Sequence, residues 1–291
     1  SWITLYSASI GIPGKMEDHF RNILLSFAVM WIVANISPQM MMRIAVPAYT
    51  VGMILLVAVA LFGTIKLGAR RWLHVGIDIQ PSEFMKIVTP MMLAWFFQQR
   101  AGQLRWQSYS IAAVLLMMPV ALIVKQPDLG TSLLVVAAGF SVIFLAGLSW
   151  KALGGLLVAF AASLPVIWSV LHDYQRERVM TLIDPTSDPL GKGFHIIQST
   201  IAVGSGGLTG KGWTHGTQAH LEFIPERATD FIFAVYSEEF GLVGNLVLMV
   251  LFLLLIGRGL MIAGNAPNFF SRLMAGAMTM IYFAYAFVNM G

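Results

Sequence analysis

The chain has 291 residues, 57% hydrophobic and 11% charged, with a formal net charge of +4 and no cysteine. A soluble domain carries about a quarter charged residues, so this composition excludes an ordinary water-soluble fold and points to the membrane. The lack of cysteine removes disulfides, thiolate nucleophiles and zinc–thiolate centres together.

A membrane-spanning helix needs roughly 20 apolar residues, and apolar runs recur along the chain, some cut short. The predicted helices cover 1–10, 22–37, 45–65, 83–99, 107–124, 132–149, 152–171, 230–257 and 272–290. A strand barrel would need alternating polarity over about ten residues, and no run has it. The expected fold is therefore an all-α polytopic membrane protein with about nine transmembrane helices. The chain starts inside one apolar segment and stops directly after another, so both termini are expected to be truncated.

Most connections are short. Two are not: a polar loop at 66–82, and 172–229, directly before the helix that carries Asp230. Loops beyond about 15 residues are usually functional or disordered. The second holds apolar stretches such as FHIIQSTIAVG, which suits a short interfacial helix, and turn chemistry in DPTSDP and GSGG. An ordered cap on the membrane surface is expected. Alternating the spans puts both long loops on one side. The opposite side receives Arg43, Arg100, Arg105, Lys151, Arg258 and Arg272 and no acid. Basic residues in short loops favour the cytoplasm, so the long loops are assigned outside, although the outer side holds more basic residues in total.

Asp230 is the first candidate for chemistry. With Thr229 as N-cap it would lie in the first helical turn, where the helix dipole alone stabilises an acid by roughly 0.3–1 kcal/mol. The predicted 230–257 helix is also longer than a bilayer core of about 30 Å requires. Its start can protrude, giving an accessible, ionised, rigidly mounted carboxylate suited to general-base work. Glu226 and Arg227 lie just before it. Glu238 and Glu239 cannot both face the same site and are expected to partner neighbouring helices. Glu83 and Lys86, three residues apart on one helix face behind a Ser82 N-cap, should pair. Arg70, Arg71, Lys125, Lys192, Lys211 and Arg227 come from separate outer segments; if they converge they roof an anion site fit for a phosphorylated head. SGGLTGKG resembles a phosphate-binding loop but lacks its first Gly and its Ser/Thr. Asp184 and Asp188 in DPTSDP read as turn formers rather than cation ligands.

The strings GARRWLHVGIDIQPSEFMKI, KQPDLGTSLL, HDYQRERVMTLIDPTSDPLGKGFHIIQS and GSGGLTGKGWTHGTQAHLEFIPERATDFIFAVYSEEFGLVG closely resemble the SEDS family (shape, elongation, division, sporulation) over essentially the whole chain. Elongation-type members are the better match; division-type members tend to have Ala at 227 and lack the GTQ of 216–218. The resemblance implies a ten-helix glycosyltransferase that polymerises lipid II into peptidoglycan in the bacterial cytoplasmic (inner) membrane. It further implies a class B penicillin-binding protein as partner, contact with membrane lipids and no nucleic acid. Asp230 falls on the family's essential acidic position, Glu83 and Lys86 on its buried charged pair, and Asp128 and Trp72 on recurrent positions. The pattern of the family continues past FVNMG with a loop and a final helix. No metal ligand set is assigned; a divalent cation, Mg2+ or Mn2+, is compatible with a diphosphate leaving group. Two other classes remain open: a lipid II flippase and a non-catalytic scaffold for the penicillin-binding protein.

Overall fold

The structure, a computed structural model, describes residues 2–10, 14–66, 69–74, 78–171, 173–188, 191–217 and 228–290. Among them are eleven α-helices: α1 Trp2–Ala8, α2 Lys15–Ala34, α3 Pro38–Phe62, α4 Pro81–Gln99, α5 Trp106–Lys125, α6 Leu129–Leu145, α7 Trp150–Val170, α8 Asp173–Ile183, α9 Lys192–Ser205, α10 Ile232–Gly264 and α11 Phe269–Met290. Each of the nine predicted segments contains a helix. Two start seven residues earlier than predicted, because the helix-starting chemistry lies upstream of the apolar run. Ser37 accepts the Met40 N–H ahead of Pro38 at the first turn of α3, and Glu17 and Asp18 occupy the first turn of α2. Among the described residues four helices are long and apolar enough to cross a membrane: α3, α5, α10 and α11.

The chain divides into two compact units. One comprises Ile32–Trp150 and Leu254–Val288. Here α4 is the central helix: 13 of its 19 residues are buried, among them Met85, Leu93 and Phe97, and α3, α5 and α6 pack around it. Proline interrupts α3, α4 and α5 at 47, 90 and 119, which membrane helices tolerate when neighbours satisfy the freed carbonyls. The all-α expectation needs one correction. The 66–82 loop is not simply irregular: β1 Thr64–Lys66, β2 Ala69–His74 and β3 Asp78–Ile79 form an antiparallel sheet in the order β1-β2-β3. Its Thr, Ile and Trp residues have the β-branched or aromatic side chains that favour strands, in a stretch too polar to continue α3.

The other unit comprises Ser1–Trp31, Lys151–Leu253 and Asn289–Gly291. The described part of its long connection contains α8, a 3-10 turn at Pro185–Ser187 and α9, a helix over the FHIIQSTIAVG stretch as predicted. Asp184 caps the turn through the Thr186 N–H, and Asp188 accepts the Gly191 N–H, as their reading as turn formers requires.

The predicted 230–257 helix differs more. It runs Ile232–Gly264 and breaks at Gly241, which has φ 63° and ψ −161°. The strand of chain from 206 to 212 fills the break. Lys211 N–H and Gly212 N–H each donate over 3.0 Å to the carbonyls of Glu238 and Glu239, while Leu242 and Val243 donate to Gly207 and Leu208. Tyr236 and Ser237 reach across the break to Gly244 and Asn245. A Cβ on Gly241 would lie 2.3 Å from the Gly210 nitrogen, and one on Gly210 would lie 2.0 Å from the Glu239 carbonyl oxygen. Both also have positive φ. Gly241→Ala and Gly210→Ala are each expected to cost about 1–3 kcal/mol, read as a lowered melting temperature of purified protein. Gly204→Ala on α9, where nothing lies within 4 Å, should leave it unchanged or raise it. Equal effects at all three positions would contradict the close backbone approach.

Candidate active site

Asp230 sits in the turn at 228–231 rather than inside the helix, and it is exposed. The Phe231 carbonyl accepts the first intrahelical bond, from the Ala234 N–H at 3.0 Å. Thr229 therefore does not cap α10, and Asp230 stands just ahead of the first turn. Among the described residues its carboxylate makes no hydrogen bond or ion pair. Glu226 and Arg227 lie outside the described residues.

The two acids expected to partner neighbouring helices are buried, but the connecting segment holds them as much as any helix. Glu238 is 0% and Glu239 1% exposed. Glu238 Oε1 accepts from Lys211 Nζ at 2.6 Å, from the Thr217 N–H at 2.9 Å, from Thr217 Oγ1 at 3.0 Å and from Ser205 Oγ at 3.4 Å. Glu239 Oε1 accepts from Ser7 Oγ on α1 and from the Thr214 N–H. A carboxylate taken out of water is tolerable only when it is paired or supplied with donors, and for Glu238 this segment supplies both a counter-charge and donors to Oε1. Lys211 was expected as a free cation of the phosphate roof. Its ammonium instead neutralises Glu238 and also bonds Thr217 at 2.8 Å. The two half-helices of α10 and the 205–217 segment are thus tied at side-chain as well as backbone level. Thr217 and Ser205 were not singled out in the sequence; the signal that points to them is the unusual pair of adjacent acids in an apolar run, which demands donors from somewhere.

In the other unit, Lys86 Nζ pairs with Glu83 Oε2 at 2.5 Å, donates to the Tyr285 hydroxyl and lies 4.9 Å from the centre of that ring. Only the lysine is buried: the side chains are 8% and 53% exposed. The pair implied to be buried is thus a buried ammonium with an accessible carboxylate, because Glu83 is in the first turn of α4 and Lys86 one turn deeper. Ser82 is not the N-cap either. Pro81 opens the helix behind Gln80, and Ser82 accepts from the Gln80 amide.

Asp128 is buried and joins three elements. It caps α6 through the Thr131 N–H, accepts from Gln80 Nε2 at 2.9 Å and faces Arg71 Nη1 at 4.0 Å. Arg71 also donates to the Pro127 carbonyl at 2.6 Å. One residue away, buried Gln126 donates to the Leu56 carbonyl of α3 at 3.1 Å. Gln80 and Gln126, each followed by a proline, are therefore both structural fasteners. Trp72 pairs with Thr64 in the sheet, Lys125 is exposed in the last turn of α5, and Arg70 pairs with Ile65 in β2. The Arg71 strand and the segment after α5 meet at the start of α4 through the Arg71–Pro127 and Gln80–Asp128 bonds. Among the described residues no three His, Asp or Glu side chains gather to hold a metal ion. A Mg2+ or Mn2+ here would have to be brought largely by diphosphate oxygens.

Lys211→Met leaves Glu238 buried without its counter-charge. It is expected to cost about 3–5 kcal/mol of stability, whereas Asp230→Asn, at an exposed and unpartnered position, should change it by less than about 0.5 kcal/mol. Melting of the purified variants separates the two, and a Lys211→Met protein as stable as the parent would refute the clamp. Asp128→Ala loses a cap and a buried acceptor together, and a loss of about 2 kcal/mol is expected, with Asp128→Asn recovering part of it.

Comparison with known proteins agrees with this architecture. The family model described as cell cycle protein, for FtsW, RodA and SpoVE, matches residues 15–291. The peptidoglycan glycosyltransferase MrdB of Escherichia coli is 52% identical over 100% of this chain and 79% of its own length. The probable peptidoglycan glycosyltransferase FtsW of Geobacter metallireducens is 34% identical over 99% of this chain and 80% of its own. Among solved structures, the rod shape determining protein RodA of Thermus thermophilus superposes with a TM-score of 0.67 at 25% identity, covering 99% of this chain and 80% of that one. A chain from a peptidoglycan synthase complex that coordinates polymerization and crosslinking superposes with a TM-score of 0.78 at 32% identity, covering 99% and 84%. The chain belongs to the FtsW/RodA/SpoVE family of cell cycle proteins.

Proposed function

We propose that this chain, a peptidoglycan glycosyltransferase, polymerises lipid II with Asp230 as its general base. The observation that carries the reading is an exposed carboxylate without partners among the described residues, mounted at the tip of a half-helix that is clamped on its other end. In the reaction, the 4-hydroxyl of an acceptor sugar gives its proton to the Asp230 carboxylate. Its oxygen bonds to the anomeric carbon of the growing chain, and the bond from that carbon to the diphosphate breaks with inversion. The electron pair leaves on undecaprenyl pyrophosphate. Cations fixed before the reaction stabilise that charge without reorganising. Arg227, Arg70, Arg71 and Lys125 are the candidates, with Glu83, Lys86, Trp72 and Glu226 supporting the substrate and Asp128 holding Arg71 in place.

The multi-pass chain is placed in the bacterial cytoplasmic membrane, with about nine of the family's ten crossings and Asp230 on the extracytoplasmic face. Within the Ile32–Trp150 and Leu254–Val288 unit, charge supports an extracytoplasmic sheet end. The unit's three acids, Asp78, Glu83 and Asp128, all lie toward the sheet end, whereas Arg43, Arg100, Arg105, Arg258 and Arg272 lie toward the other end, where Gln98 accepts the Phe270 N–H. An acid-free, arginine-bearing end suits the cytoplasm. The likeness to a chain from a peptidoglycan synthase complex supports a class B penicillin-binding protein as the partner.

The break in α10 beside Glu238 and Glu239 favours a second reading, since discontinuous helices with ionisable groups are typical of transporters. Against a flippase, Glu238 Oε1 already accepts from four donor groups, the Lys211 ammonium among them. Asp230→Ala should reduce lipid II polymerisation by at least about 100-fold while the melting temperature stays at the parent value. A variant that polymerised at the parent rate would end the assignment. Scrambling of labelled lipid II by the same stable, inactive variant would support the transport reading instead.

A further inference from the structure

We infer that the α4–α5 corner is a binding site for the phosphodiester headgroup of an anionic membrane phospholipid. A cavity of about 280 Å³ lies there, lined by Arg100, Gln103, Arg105, Gln107, Ser108 and Ile111. It belongs to one compact unit, at the end of α4 remote from Asp128, and is separate from every residue used for chemistry above. By helix length the two ends are roughly 28 Å apart, about the thickness of a hydrocarbon core.

The lining is one-sided in its chemistry. Two guanidiniums and two amides supply N–H donors, and no carboxylate faces them. The sequence from 84 to 127 contains no acid at all. Among the described residues neither Arg100 nor Arg105 has an ion-pair partner. The Arg100 guanidinium carbon instead lies over the Phe96 ring, 4.0 Å from its centre, a cation–π contact that uses none of its N–H donors. Arginine forks match phosphate oxygens, and with no acid present a zwitterionic headgroup would leave its ammonium without a counter-charge.

A second feature distinguishes a lipid from a free anion. Ile111 belongs to the cavity wall, and Ile111, Val114 and Met118 are all exposed, at 43%, 59% and 47%. Spaced by three and four residues, they form one stripe along the shaft of α5. Trp106, 73% exposed, opens that helix at the level where interfacial tryptophans sit. The arrangement is a polar cup at the rim with an apolar track leading from it toward the bilayer centre, which fits a headgroup with an acyl chain.

The full chain, purified in detergent, would be mixed with phosphatidylglycerol, with phosphatidylcholine or with phosphatidylglycerol plus inorganic phosphate, and retained lipid counted by native mass spectrometry. The parent should retain phosphatidylglycerol over phosphatidylcholine. Arg100→Gln combined with Arg105→Gln should weaken that retention by roughly tenfold or more, as expected for two arginines at a lipid surface. Gln107→Glu, a surface change that puts negative charge into the cup, should do the same without loss of melting temperature. Ile111→Asn should weaken lipid retention too. Retention unchanged in both the double variant and Gln107→Glu would overturn the inference, as would equal retention of the two lipids. Displacement by inorganic phosphate at matched concentration would overturn the lipid as ligand and leave only an anion site.

Discussion

Glu238 is a carboxylate with no exposed surface, in a helix otherwise fit to lie in a membrane. It can be there only because Lys211, Thr217 and Ser205 are brought to it. That requirement folds the 205–217 segment back onto α10, opens the helix at Gly241 and lets backbone N–H groups of the segment take the place of the missing intrahelical donors. The candidate base benefits from this. A carboxylate ahead of a free helix end would move with the fraying of that end, whereas Asp230 stands on a half-helix fixed from below by an ion pair, two main-chain bonds and the packing of α9 and α1. The ion pair itself is weak evidence for stability, because desolvation offsets most of its attraction. Its value is specificity, since any other pairing leaves a buried charge alone.

Asp128 plays the corresponding part in the other unit. It was a candidate for the site because of where it falls in the family pattern, and its contacts are those of a fastener: a helix cap, an amide and a guanidinium. By holding Arg71 and Gln80 it sets where the sheet lies against α4, and hence where Trp72 and the first turn of α4 lie. An acid can therefore matter to catalysis without meeting substrate. The split environment of Glu83 and Lys86 carries a similar lesson. The buried ammonium is anchored by Tyr285 as well as by its own helix, which leaves the carboxylate at the surface.

The bilayer accounts for what would be faults in water. The apolar core window of α10 is only 6% buried within the protein, and α2 has no buried residue. An apolar face of α10 without protein cover is what a membrane span presents to lipid, and among the described residues the largest buried cluster is the one around α4. Polar chemistry is displaced to the ends of the helices, and the two ends of that bundle differ: one has acids among its bases, the other has arginines only.

Amphiphilic composition, the nine apolar runs and the long motif-bearing loops were enough to set the class of protein, the position of the helices and Asp230 as a candidate, because hydropathy over twenty residues and a charge at its edge are properties of contiguous sequence. The sheet at 64–79 was hidden by its shortness. The break at Gly241 was hidden because its cause lies some thirty residues upstream, in glycines that read locally as turn formers. Which of the basic residues are free and which are spent was likewise beyond the sequence. Lys211 and Arg71 look alike there, as unpaired cations in polar segments, and only the tertiary structure assigns one to a buried glutamate and the other to a carbonyl and a capping aspartate. Charge pairing is settled by distance through space, and distance through space is what folding alone decides.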